Sequence, residues 1–351
     1  MMHARDFTAS GVATPHQDAG QLLEQFCGRF AEHVKVTRSP SGARLETVIG
    51  SADIAISDNR LDIKLRCPTA AMLFTVRSMV AENLFELSAG NTLDLTWADG
   101  PQPSVIPNLR EITVVNAYNV TPHMRRVVVA TDDAKHFSEG GMHARLLIPP
   151  KGREPVWPHT EPDGRIHWPK GDDALTIRAY TIRSIDLARG QMNIDFVVHE
   201  GDDVPGATWA LKAQPGDRAA LIGPGGGGVP AARKLILAGD ETALPAIARI
   251  AAAVPADADL RIFLEVADRL EEQPLPSAAS INVTWLHRNG AAAGTTGTLE
   301  RILRELVPAS DPETFVWAAC EQTQARAIRT FMKSETPKEQ TSFSIAAYWQ
   351  R

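Results

Sequence analysis

The run Leu175-Thr176-Ile177-Arg178-Ala179-Tyr180-Thr181-Ile182-Arg183 is rich in β-branched residues and lies between turn-forming stretches, so it reads as a strand. Along a strand, Arg178 and Tyr180 share one face and Thr181 points to the other. These three residues thus offer a bidentate clamp for an anion, a flat ring for stacking and a short hydroxyl donor. An Arg–Tyr pair on an ordinary surface strand has the same local pattern, so the surrounding elements decide between the two.

Between 108 and 228, five further runs read as strands, at 112–117, 125–130, 144–148, 192–199 and 218–222. Met192, Ile194, Phe196 and Val198 alternate with polar positions. Six short strands with turn-rich connections predict an antiparallel six-stranded β-barrel. The loop 149–173 is long and rich in Pro and Gly, and is a candidate cover for a ligand.

From 231 to 351 the pattern changes to strands alternating with helices. Strands are expected at 234–238, 260–266, 281–286, 314–319 and 342–349, and helices at 242–253, 299–306 and 322–332. This order predicts a doubly wound parallel α/β domain of the nucleotide-binding kind. Its first strand runs into Gly239-Asp240-Glu241-Thr242-Ala243 and then a helix. There Gly239 permits the turn, Asp240 follows it, and Thr242 and Ala243 would offer helix-start N–H groups to a nucleotide. Glu265 closes the next strand, where an acidic group binds ribose hydroxyls and disfavours a 2′-phosphate. Arg288 nearby could instead meet such a phosphate, leaving NADH and NADPH both open. The run Gly223 to Gly228 lacks the Gly-Lys-Ser/Thr ending of a phosphate loop and reads better as a flexible connection.

Residues 1–98 read as a small α+β domain. Thr14 is the expected cap of a first helix with Pro15 at its first position, and Leu22, Leu23, Phe26, Phe30 and Val34 recur at helical spacing. Strands at 43–49, 53–57 and 61–65, a helix at 69–87 and a strand at 92–97 complete the order α-β-β-β-α-β. The stretch 99–104 is a natural linker.

The chain has 351 residues, 44% of them hydrophobic and 22% charged, with a formal net charge of -6. That is a globular composition, and its sign argues against nucleic acid as a partner. Cys27, Cys67 and Cys320 are scattered and odd in number, against a disulfide framework or a cysteine-ligated metal site. No metal-ligand set is singled out. The N-terminus lacks an apolar core of signal-peptide length, and no run approaches the roughly 20 apolar residues of a membrane span. A cytoplasmic protein without membrane insertion is expected. Its oligomeric state is left open.

A longer series of motifs occurs in order: Arg178-Ala179-Tyr180-Thr181-Ile182-Arg183, Asp195-Phe196-Val197-Val198-His199, Pro205-Gly206-Ala207-Thr208-Trp209-Ala210, Leu237-Ala238-Gly239-Asp240-Glu241-Thr242-Ala243-Leu244-Pro245-Ala246, Glu265-Val266-Ala267-Asp268 and terminal Tyr348-Trp349-Gln350-Arg351. From about 111 to its end the chain resembles the siderophore-interacting proteins, FAD-dependent ferric-siderophore reductases with a ferredoxin-reductase-like architecture. Residues 1–98 resemble a small uncharacterised domain sometimes fused in front of them. The resemblance implies that Arg178, Tyr180 and Thr181 hold FAD, Thr181 tuning the flavin, with His199 beside it. Ala207, Thr208 and Trp209 would open a short helix whose N–H groups face the pyrophosphate. His199 and Trp209 read equally well as a strand-end histidine and a core tryptophan. Arg145 and Arg351 match positions that bind the siderophore, and each also reads as a solvated charge. The implied reaction passes hydride from NAD(P)H to flavin N5 and then single electrons to Fe(III), with the chemistry carried by the cofactor. A general flavin or quinone reductase and a non-enzymatic siderophore-binding module are the alternatives. Two departures stand out: Cys320 replaces the usual Gly of Ala-Gly-Glu, and Val204 stands where the family usually has Gly. Cys320 reads either as a residue beside the nicotinamide or as a small buried one.

Overall fold

The computed structural model describes residues 6–31, 34–47, 49–88, 93–198, 204–336, 339 and 342–351. The chain forms two compact units, Met1–Asn108 with Val156–Ala174, and Leu109–Pro155 with Leu175–Arg351. Among the described residues no helix is long and apolar enough to cross a membrane.

The first unit contains β1 (Phe7–Pro15), α1 (Ala19–Phe30), β2 (Lys35–Ser39), β3 (Gly42–Thr47), β4 (Gly50–Ser57), β5 (Arg60–Cys67), α2 (Ala70–Leu87) and β6 (Leu93–Trp97). Its antiparallel sheet runs β2-β3-β4-β5-β1-β6. Leu22, Phe26, Val80 and Leu84 of the helices share a core with Ile54, Leu61, Ile63 and Leu65 of the sheet. The expected helix start is corrected: Thr14 and Pro15 end β1, opposite Asp94 and Leu93. Asp18 caps α1 by accepting from the N–H of Gln21. The inward face of β1 is Ala9, Gly11, Ala13 and Pro15. Such small residues make a faint period-two signal, and β1 and β2 were both absent from the expected order.

The second unit begins with β7 (Leu109–Thr121), β8 (Met124–Ala130) and β9 (His143–Ile148). The chain then contributes a hairpin to the first unit, β10 (His159–Thr160) with β11 (Ile166–His167). The middle of the 149–173 loop is therefore committed to that unit. Trp97 Nε1 donates to the Asp163 carbonyl at 2.7 Å, Thr160 N to the Ser104 carbonyl at 2.8 Å, and the Arg165 guanidinium lies 3.7 Å from the Phe85 ring centroid.

The barrel closes with β12 (Thr176–Asp186), β13 (Gln191–Val197), the helix α3 (Pro205–Lys212) and β14 (Arg218–Gly225), in the order β12-β13-β8-β7-β14-β9. Val127, Val129, Leu146, Ile182, Ile194 and Phe196 fill it. Then come β15 (Lys234–Gly239), α4 (Leu244–Ala253), β16 (Asp259–Val266), β17 (Ser280–His287), α5 (Thr298–Leu306), β18 (Phe315–Glu321), α6 (Gln322–Ser334) and β19 (Phe343–Trp349). The parallel sheet runs β17-β16-β15-β18-β19, so strand order reverses between β15 and β18. A doubly wound sheet binds ligands in the crevice at that reversal.

Arg249 and Glu271 are among the polar groups that join barrel and sheet. Arg249 of α4 donates to the carbonyls of Ile182 at 2.8 Å, Phe137 at 3.1 Å and Met142 at 3.3 Å. Buried Glu271, after β16, accepts from the Thr121 hydroxyl and from the N–H of His123 in the β7–β8 turn.

Candidate active site

β12 supplies the barrel side of the site. Arg178 is exposed, and among the described residues its guanidinium donates only to the neighbouring carbonyl of Ile177, at 2.8 Å. Tyr180 packs on Phe196 with ring centroids 4.3 Å apart, and Phe196 packs on Trp209 of α3 at 5.6 Å. Burial pushes the Tyr180 phenol up to about 12, so it is protonated at neutral pH. Its hydroxyl sits against the first turn of α3, where a Cβ on Gly206 would come within 1.9 Å of it.

Pro205 occupies the first position of α3 and has no N–H; Thr208 N donates to the Val204 carbonyl at 2.9 Å, closing the turn. The amides that point out of this helix end are thus those of Gly206 and Ala207, not the Thr208 amide expected from the motif. Trp209 is half-buried against the barrel core, and Val204 is the cap residue. His199 lies outside the described residues.

Thr181 faces the other way, is buried, and lies beside Tyr348 of β19. Thr181 lies opposite His143 in the β9–β12 register, and His143 Nε2 is 2.6 Å from the same phenol oxygen. Burial and the nearby Arg249 hold the imidazole below its usual range, and burial raises the Tyr348 phenol. A neutral imidazole therefore accepts from, or donates to, a neutral phenol where the barrel meets the last strand of the sheet.

At the strand-order reversal, Gly239 has no room for a side chain: a Cβ would meet Ala243 at 2.3 Å and the Ala319 carbonyl at 2.8 Å. Asp240 is buried, accepts from Thr242 N at 3.0 Å, Thr242 Oγ1 at 2.5 Å and Trp349 Nε1 at 2.7 Å, and burial pushes its carboxyl up to about 6. Ala243 N donates to the Asp240 carbonyl at 3.0 Å. This corrects the expected role of Thr242 and Ala243, because both amides are consumed inside the loop by Asp240.

Glu265 is buried, raised by that burial, and accepts from the Thr296 hydroxyl at 2.5 Å. Arg288 forms a buried bidentate pair with Glu241 at 2.6 and 2.9 Å, so its charge is already matched. Cys320 is buried at the end of β18, where burial and the carboxylates of Asp240, Glu321 and Glu265 keep it a thiol. Arg145 is exposed on β9, and half-exposed Arg351 lies 4.0 Å from Glu321.

Residues 232–351 match the family described as siderophore-interacting protein, and 113–228 match its siderophore-interacting FAD-binding domain. The chain belongs to the siderophore-interacting protein family. Residues 10–98 match a family of uncharacterised proteins conserved in bacteria (DUF2218). This siderophore-interacting protein is 30% identical to the ferric vibriobactin reductase ViuB of Vibrio cholerae, over 69% of this chain and 89% of that one. It is 27% identical to the NADPH-dependent ferric-chelate reductase of Escherichia coli, over 68% and 92%. A siderophore utilization protein from T. fusca, of known structure, is 38% identical, with a TM-score of 0.61 and coverage of 72% and 95%.

The barrel of this siderophore-interacting protein fits FAD. Arg178 keeps guanidinium donors turned to solvent, and on the same strand Arg183 Nη1 is buried with no acceptor among the described residues. Sequence reasoning gave no role to His143 or Arg249, and none to the side chains of Tyr348 and Trp349. The last two lay in a quoted terminal motif, while His143 and Arg249 have no local signature.

Proposed function

We propose that this chain is a cytoplasmic NAD(P)H-dependent reductase of ferric siderophores, with an FAD-binding part at 108–228 and an NAD(P)H-binding part at 231–351. The carrying observation is the junction of Thr181, His143 and Tyr348. It brings the strand of Arg178 and Tyr180 against the last strand of the sheet whose order reverses at Gly239. Bound FAD supplies the chemistry that divides the electron pair of one NAD(P)H between two Fe(III) ions, giving NAD(P)⁺, a proton and two Fe(II).

The chain's residues then bind and position. Arg178 holds a cofactor phosphate, the Gly206 and Ala207 amides face the pyrophosphate, and Tyr180 and Thr181 flank the ring system. Trp209, packed on Phe196, completes that pocket. Gly239, Asp240, Thr242, Ala243 and Glu265 shape the coenzyme crevice, with Glu265 and Thr296 set for ribose hydroxyls. Arg145 and Arg351 meet the anionic siderophore.

The test is an absorption spectrum of purified protein, followed by NAD(P)H under argon and then a ferric siderophore. A flavin spectrum should bleach and then return. A bleached flavin that no ferric chelate reoxidises, yet a quinone does, would overturn the reading in favour of a quinone reductase. Arg178→Ala should lower FAD affinity by at least about tenfold, the scale of a lost charge-assisted contact.

A further inference from the structure

The β10–β11 hairpin carries side chains that the reductase reading does not use. His159 pairs directly with His167 across the two strands, so both imidazoles stand on one face. Their rings stack with centroids 4.9 Å apart and planes 26° from parallel. Glu161 follows His159 by two residues, and its N–H donates to the Arg165 carbonyl at 2.7 Å, which extends the ladder and returns Glu161 to the same face. Glu161 Oε1 lies 3.8 Å from His159 Nε2 and 3.4 Å from His167 Nδ1. One donor atom from each residue falls within 4.8 Å of the others. Donors held to one metal by bonds of about 2.1 Å stand roughly 3 to 3.5 Å apart, so side-chain rotations alone close the set.

The backbone beneath is already ordered. Ile166 N donates to Glu82 Oε1 at 3.3 Å, alongside the Trp97, Ser104 and Phe85 contacts described above. The two histidine side chains are 49% and 52% exposed and that of Glu161 36%, which leaves the outer side open for water ligands. Two imidazoles and one carboxylate on one side of an ion, with free positions opposite, suit first-row divalent transition cations rather than calcium or magnesium. We propose that His159, Glu161 and His167 bind such a cation. The site uses no residue of the barrel or the parallel sheet, so it stands or falls independently of the flavin reaction.

The full-length protein, stripped with chelator, is dialysed against Zn(II), and against Fe(II) under argon, and its metal is counted. One equivalent per chain is expected, with Zn(II) the tighter. The H159A/H167A variant should weaken binding at least about tenfold, and the near-isosteric E161Q variant should fall between it and the parent. Flavin content and bleaching by NAD(P)H should be unchanged in both. Absence of binding, binding that survives both substitutions, or equal binding of Mg(II) would overturn the proposal and leave the cluster a histidine–glutamate ion pair.

Discussion

Gly206 stands one residue into α3 because the Tyr180 hydroxyl occupies the space a Cβ would need. Gly206→Ala should push Tyr180 out of its position beside Phe196 and cost about 1 to 3 kcal/mol, as overpacking does. FAD affinity should fall with it. Adding Tyr180→Phe removes the nearest clashing atom, so the double variant should recover part of the stability, measured by denaturant titration. Asp240 carries the pH prediction. Its folded-state value of about 6 lies above that of a free aspartate, so the folded protein holds the extra proton between about pH 4 and pH 6. Stability contributed at this carboxyl is complete at the acid end and is lost as pH rises through about 6, by up to roughly 3 kcal/mol. Asp240→Asn cannot ionise. The stability of the parent relative to this variant should therefore be greater at pH 4.5 than at pH 7.5.

At the scale of elements, α4 is one of the members that tie sheet to barrel. Its core residues follow helical spacing, but its placement rests on Arg249, which serves three carbonyls of the barrel. Arg249→Ala removes that donor from all three carbonyls, of which Met142's keeps another, the Ile182 N–H, and should cost about 2 to 3 kcal/mol. Arg249→Lys, with a point charge in place of a fork, should recover less than half. Thermal unfolding monitored by flavin release would read both. Central elements such as β12 and β13 were legible because their inward residues are large: Ile182, Ile194 and Phe196. β1 was not, since Ala9, Gly11 and Ala13 carry too little apolar area to mark a period of two.

Over the whole molecule, the segment Val156–Ala174 lies in sequence between two barrel strands yet belongs to the first unit. Removing residues 1–104 alone should therefore strip Trp97 and Phe85 from the hairpin and leave apolar surface exposed. That truncated protein should aggregate. Replacing 156–174 by a short turn in the same truncation should restore a soluble protein, with the difference read by size-exclusion chromatography and flavin content. A soluble, flavin-loaded simple truncation would show that the hairpin does not depend on its unit.

Local periodicity determined the barrel strands, the alternating helices and strands of the C-terminal sheet, and the face on which Arg178 and Tyr180 lie. Such patterns depend only on near neighbours along the chain. Ordered motifs added the family and the expected cofactor residues. Tertiary structure alone decided that Thr181 meets His143 and Tyr348, that Asp240 turns the Thr242 and Ala243 amides inward, that Glu241 neutralises Arg288, and that a loop leaving the barrel joins another unit. Each of these contacts depends on partners set by packing rather than by local spacing. Where a polar group is buried, its partner is chosen by which donors and acceptors the folded core brings within about 3 Å.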